Sequence, residues 1–198
     1  MSKATDQLAQ QDPRLARILI GPAFRVQRDG DLFLDLIQSI MSQQLSGKAA
    51  STIHGRFCQL FPRETPTPQL LHKFTAEELR AVGVSRQKAG YLHNLAGFFL
   101  EHELSLATVE KLSDDDIIAL LTQIKGVGRW TVEMILMFSL RRQDVFPVDD
   151  LGIQLAMKEL YGLRSTGPRL RQRMVALAEK WRPHRTLACR YLWRSRPG

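Results

Sequence analysis

Cysteine is scarce in this chain: 198 residues hold two, Cys58 and Cys189, far apart among apolar neighbours. Two distant thiols form neither a disulfide framework nor a metal site, so both read as buried thiols of a reducing compartment. No apolar run reaches about 18 residues, so no membrane-spanning helix is present and no membrane partner is expected. The amino-terminal stretch MSKATDQLAQQDP lacks the apolar core of a secretory signal, so a cytoplasmic location is expected, or a nuclear one in a eukaryote. Alternating Val, Ile and Thr runs joined by hairpin dipeptides are missing, so strands are not expected. Low-complexity tracts are missing too. Acidic residues are in the minority: 28 Lys and Arg face 20 Asp and Glu, a net charge of +8. A balance this basic favours a polyanionic partner.

The positive charge is concentrated. Between Arg164 and Arg196 there are ten Lys or Arg and one acid, Glu179, which leaves the rest of the chain near neutral. These cations are interleaved with Leu, Trp and Tyr at helical spacing, unlike a plain solvated tail. Helical patterning recurs along the chain. Leu32–Met41 is one apolar segment, and Gly47–Leu60 follows after the polar break Ser42-Gln43-Gln44. Three prolines between Pro62 and Pro68 predict a loop. Thr75-Ala76-Glu77-Glu78 is a capping box, Gly83 a stop and Ser85 the next start. Ser113 with Asp116 caps a helix running to Ile124. Further helices are expected over Thr131–Leu140 and Asp150–Tyr161, and two more between Pro168 and Trp193. The length allows one domain or two closely packed lobes. An all-α fold of about nine or ten helices follows.

The segment Leu121–Asp150 carries the most chemistry. Lys125-Gly126-Val127-Gly128-Arg129 separates two apolar helices. Glycines there permit positive φ and close approach of another backbone. The first N–H groups of the second helix can hold a phosphate, with Lys125 and Arg129 adding charge. Any helical bundle can use such a turn, but the basic flanks favour a phosphate grip. Val82-Gly83-Val84-Ser85-Arg86 echoes the pattern weakly and reads as a plain helix–helix turn. Phe146-Pro147-Val148 then leads into Asp149 and Asp150. Asp150 suits a helix N-cap, which accounts for one aspartate. A carboxylate beside a DNA-gripping turn is unfavourable unless it meets developing positive charge, as in N-glycosidic cleavage. Trp130 follows the turn directly and offers a stacking face to a flipped, cationic base, with Met134 and Met137 along the same helix face.

These residues resemble the helix-hairpin-helix DNA glycosylase superfamily, in particular its 3-methyladenine DNA glycosylase II branch. The resemblance runs from about Leu32 to Trp193. Gly126-Val127-Gly128-Arg129-Trp130-Thr131 resembles the branch's hairpin. Asp150, twenty positions after Trp130, falls at the catalytic position, and Leu192-Trp193 resembles the carboxy-terminal helix whose Trp lines the base pocket. Ser42-Gln43-Gln44-Leu45-Ser46 resembles the loop that fills the gap left by the base. The resemblance implies a two-lobed helical fold over residues 1–198 with the active site in the cleft between lobes. One lobe would span about 30–145, the other the amino-terminal segment with about 150–198.

The implied activity is a monofunctional glycosylase for alkylated purines, a monomer acting on double-stranded DNA in base excision repair at the nucleoid or in the nucleus. Asp150 would be catalytic. Trp130, Met134 and Trp193 would line the base pocket. Gln43, Gln44, Leu45, Lys125, Gly126, Val127, Gly128 and Arg129 would contact DNA. Bifunctional members carry Lys where this chain has Trp130, so no lyase step is expected. The chain lacks the four clustered cysteines of relatives with an iron–sulfur cluster, so no redox or metal cofactor is expected. The resemblance also implies a monovalent cation held by hairpin carbonyls. Met134 replaces a pocket tyrosine of some members. The alternatives are a non-enzymatic helix-hairpin-helix binding module and a glycosylase for oxidised or mismatched bases.

Overall fold

The computed structural model describes residues 2–25, 30–45 and 47–196. Lys3–Gln11 (α1) and Pro13–Ala16 (α2) open the chain, followed by Leu32–Ser42 (α3) and Gly47–Cys58 (α4). Pro68–Leu71 (α5) and Ala76–Ala81 (α6) are short, and Arg86–His102 (α7) is long. Leu106–Val109 (α8) and Asp114–Leu121 (α9) lead to the glycine turn and Arg129–Met134 (α10). Leu151–Tyr161 (α11), Gly167–Ala178 (α12) and Arg185–Arg194 (α13) complete the order. Among the described residues there is no strand, as expected.

Local chemistry sets most boundaries. Asp31 caps α3 by accepting from the N–H groups of Phe33 and Leu34 at 2.8 and 3.1 Å. The capping box at Thr75 and Glu78 is present, and Ser85 and Ser113 cap α7 and α9. Four features depart from the pattern-based reading. The amino-terminal stretch folds as α1 and α2, which its polar composition did not announce. The proline-rich segment holds a 3-10 turn at Pro62–Glu64 and the start of α5. Residues 106–109 add the single-turn helix α8. The helix expected over Thr131–Leu140 begins at Arg129 and widens to π geometry over Ile135–Ser139.

The chain divides into two compact units, Arg28–Ile135 and Met1–Gln27 with Leu136–Gly198. In the first, α7 is central and packs on α3, α5 and α6, while α9 packs on α10. Ala89, Leu92, Leu95, Ala96 and Phe99 form the buried face of α7, and the Phe99 ring meets Phe33 at 5.0 Å. This apolar stripe is the helix-period pattern turned into a core.

In the second unit α11 packs on α13, and Trp181 is fully buried. Its indole N–H donates to Asp12 Oδ2 at 2.9 Å. Tyr161 donates to the same oxygen at 2.5 Å, and Lys180 Nζ lies 2.8 Å away. Asp12 Oδ1 accepts from the N–H groups of Arg14 and Leu15 and so caps α2. Burial opposes ionisation of Asp12, but the bonds from Lys180, Tyr161, Trp181 and the Leu15 N–H outweigh it and hold its pKa at about 2. One carboxylate thereby ties the amino-terminal segment to residues 161–181.

Candidate active site

The glycine turn is built by its neighbours. Ile124 and Val127 are buried, and Val127 N–H donates to the Ile124 carbonyl at 2.9 Å. The Val127 side chain therefore belongs to the core, which leaves only its backbone for the DNA contact expected of it. Gly126 has φ +103°, and a Cβ there would lie 2.6 Å from Cδ1 and Cδ2 of Tyr91, inside the ring's contact surface. Gly128 differs: it has φ −91°, caps α10 without a side chain, and a Cβ there would meet open space. Only Gly126 uses glycine's positive φ. Gly128 keeps the start of α10 open to an approaching backbone.

Around this turn, Lys125, Arg129 and Trp130 are exposed. Arg129 Nε pairs with the buried Glu133 at 3.1 Å, which holds its guanidinium along α10. Met134 is buried one turn after Trp130. Gln43 donates from Nε2 to the Gly126 carbonyl at 3.1 Å, tying the 42–45 loop to the hairpin. Gln44 and Leu45 are exposed beyond that tether, with Gln44 at φ +57°. Ser46 lies outside the described residues.

The second unit holds the carboxylate. Asp150 is the N-cap of α11, buried, and its Oδ1 accepts from Ile153 N–H and from Trp193 Nε1, both at 2.8 Å. Two donors on one oxygen fix the carboxylate plane. Gly152 makes the approach possible: a Cβ there would sit 3.0 Å from Trp193 Cδ1 and 3.1 Å from Asp150 Oδ1. Trp193 is flanked by Phe24 and Phe138, ring centroids 6.0 and 5.8 Å away. Asp149 points elsewhere, into an exposed ion pair with Arg171. A fixed, buried carboxylate beside an aromatic wall suits stabilisation of positive charge on a bound sugar.

A match to the family model described as "HhH-GPD superfamily base excision DNA repair protein" covers residues 37–183, which includes the hairpin and Asp150. The chain belongs to the HhH-GPD superfamily. It is 39% identical over 165 residues to DNA-3-methyladenine glycosylase 1 of Schizosaccharomyces pombe, covering 81% of this chain and 71% of the relative. The solved structure of the S. pombe 3-methyladenine DNA glycosylase in complex with abasic DNA superposes with a TM-score of 0.85 at 35% identity, over 98% of this chain and 96% of that one. A DNA-3-methyladenine glycosidase structure from Bacillus halodurans gives the same score and identity, over 98% and 89%.

Within this HhH-GPD chain, pattern reading missed Phe24 and Phe138. Phe24 lies in a loop with no periodicity, and Phe138 sits in the π segment, where the helical period breaks. The basic carboxy-terminal stretch is also less available to a polyanion than its composition suggests. Arg171 pairs with Asp149, Lys180 with Asp12, and Arg182 and Arg185 with Asp144. Asp144 is buried enough to resist ionisation, yet those arginines hold it below the usual carboxylate range.

The hairpin offers a cation neutral oxygens. The Ile124 and Gly126 carbonyls each accept one hydrogen bond and keep a second lone pair. Such donors fit a loosely held monovalent cation rather than a divalent one. Among the described residues no group of three His, Cys, Asp or Glu is placed to hold a metal.

Proposed function

We propose that this HhH-GPD protein excises alkylated purines such as 3-methyladenine and 7-methylguanine from double-stranded DNA, acting as a monomer and by hydrolysis alone. The observation that carries the reading is Asp150, buried at the start of α11 and held by Trp193 Nε1. The names of the relatives and the absence of a lysine at position 130 support it.

The hairpin N–H groups around Gly128, with Lys125 and Arg129, grip the phosphate backbone irrespective of sequence. Gln44 and Leu45 fill the space of the extruded nucleotide. Trp193 and Trp130 each offer an indole face, and an alkylated, cationic purine is a good partner for such faces. The C1′–N bond breaks with its electron pair leaving on the base. Asp150 stabilises the oxocarbenium-like sugar or orients the attacking water. Water oxygen bonds to C1′, its proton is released, and an abasic site remains. The Ile124 and Gly126 carbonyls would hold a monovalent cation, which would add positive charge for a phosphate.

Single-turnover release of base from methylated duplex DNA tests this. Wild type is expected to release base, and Asp150→Asn to bind DNA and release almost none. If neither releases base while both bind, the chain is a binding module. Strand nicking without alkali would overturn the purely hydrolytic assignment. On a panel of single-lesion duplexes, preference for 8-oxoguanine over 3-methyladenine would overturn the substrate class.

A further inference from the structure

The second unit contains a cavity of about 440 Å³ whose lining includes Arg25, Arg141 and Arg190 with Phe138, Gln143 and Thr186. No carboxylate pairs with these three arginines among the described residues. Elsewhere in the unit the arginines at 171, 182 and 185 are neutralised by acids. Three cations sharing one concavity repel each other, and an anion removes that cost.

The cavity is also preorganised. Arg190 Nε donates to the Phe24 carbonyl at 2.6 Å, and Phe24 N–H donates to the Arg190 carbonyl at 3.2 Å, which pins the segment carrying Arg25 to α13. Thr186 pins the other side. Its N–H donates to the Gln143 carbonyl at 3.0 Å, its hydroxyl to the Arg142 carbonyl at 2.7 Å, and it accepts from Val145 N–H at 3.0 Å. The turn carrying Arg141 is thereby fixed, with Arg141 itself at φ +55°. Burial and the neighbouring Arg25 both push the Arg190 guanidinium below its ordinary value, as expected of cations held together. A planar guanidinium fork matches phosphate oxygens in geometry as well as charge.

Phe138 connects this cavity to the carboxylate. It lines the cavity, and its ring lies 5.8 Å from Trp193, which donates to Asp150. We propose that the Arg25–Arg141–Arg190 pocket binds a backbone phosphate of the DNA strand whose base is presented to Asp150. The choice of ligand rests on the glycosylase reading. The pocket would anchor the strand on the carboxylate's own unit, separately from the hairpin grip in the other unit.

The test uses the full chain and a duplex carrying an abasic-site analogue, with Kd measured over a range of salt. Arg25 and Arg141 are exposed, so Arg25→Gln combined with Arg141→Gln is expected to fold, as checked by Tm. In this double variant the slope of log affinity against log salt becomes shallower by about 1, equally for damaged and undamaged duplexes. Arg173→Gln removes an exposed charge of the same unit outside this cavity and is expected to keep the wild-type slope. An unchanged slope in the double variant overturns the proposal, as does an equal change in Arg173→Gln, which would reduce the effect to net charge. Inorganic phosphate identifies the other source. If it raises the Tm of wild type and not of the double variant while the DNA slopes agree, the pocket takes free phosphate and the DNA assignment fails. Base release by wild type is followed in parallel. Its absence alongside the altered slope would sink the glycosylase reading and leave the phosphate pocket standing.

Discussion

Asp12 and Asp150 are assembled from the same parts and do different things. Both are buried aspartates at helix N-caps, and both accept an indole N–H, Asp12 from Trp181 at 2.9 Å and Asp150 from Trp193 at 2.8 Å. The difference lies in what surrounds them. Asp12 also holds Lys180 and Tyr161, and its tryptophan is fully buried. Its charge is matched inside the protein. Asp150 stands beside the partly exposed aromatic wall of Phe24, Phe138 and Trp193, and Leu151 next to it is 68% exposed. A cap, a carboxylate and a tryptophan are therefore not by themselves a catalytic signature. The aromatic wall beside it, open to solvent in part, is what suits Asp150 to a positive charge brought by substrate.

Exchanging each aspartate for asparagine breaks this comparison hardest. Asp150→Asn is expected to lower single-turnover base release by at least about a hundredfold, with little change in Tm, because Asn also caps helices well. Asp12→Asn is expected to cost about 3 kcal/mol, the loss from a buried ion pair deprived of its anion. Base release per folded molecule should stay at the wild-type level. If Asp12→Asn abolished release in folded protein, the division of roles would fail.

Acid titration comes next in size. The folded pKa of Asp12, about 2, lies below its ordinary 3.8. Its ionisation therefore contributes stability that is fully present above the unfolded value and is lost as pH falls through about 2. The shift corresponds to about 2 kcal/mol. The stability gap between wild type and Asp12→Asn should hold steady above about pH 5 and shrink between pH 4 and 2. Urea unfolding across that range checks it, and a gap growing with acidity would show the sign to be wrong.

The two tryptophans give a smaller, crossed effect. Trp193→Phe removes one hydrogen bond to Asp150 and should slow base release by roughly tenfold, about 1.4 kcal/mol. Trp181→Phe removes the matching bond to Asp12 and should appear as a similar loss of stability with the rate kept. Equal effects of both on rate would erase the distinction. Smallest of all is Asp149→Asn, which deletes an exposed pair with Arg171 and should change stability by less than about 1 kcal/mol. Its base release should match wild type, which would leave Asp150 as the carboxylate that matters.

The two glycine turns show how far local reading goes. Gly83 and Gly126 have nearly the same φ, +100° and +103°, yet a Cβ at Gly83 would meet Ile53 at an ordinary 3.5 Å while one at Gly126 would enter the Tyr91 ring. The turn at Gly126 is joined to the 42–45 loop by a hydrogen bond from Gln43. Sequence spacing ranked the two turns by glycine count. The reason for the rank is the approach of side chains about 35 and 83 positions away in the chain. In the same way α1 left little trace: only Thr5 and Leu8 are buried on it, too few for a visible stripe.

The sequence by itself determined the longer helices, most of their caps and the glycine turn, and it pointed to Asp150 rather than Asp149. These depend on interactions within a few residues, where composition and spacing specify the partner. Tertiary structure alone decided that Trp181 serves Asp12 while Trp193 serves Asp150, partners 169 and 43 positions apart. It also decided that Arg171, Arg182 and Arg185 of the basic stretch meet acids while Arg190 lines a cavity. Long-range pairing depends on how helices stack, and charge counts or periodicity carry no information about the neighbour a side chain finds across the core.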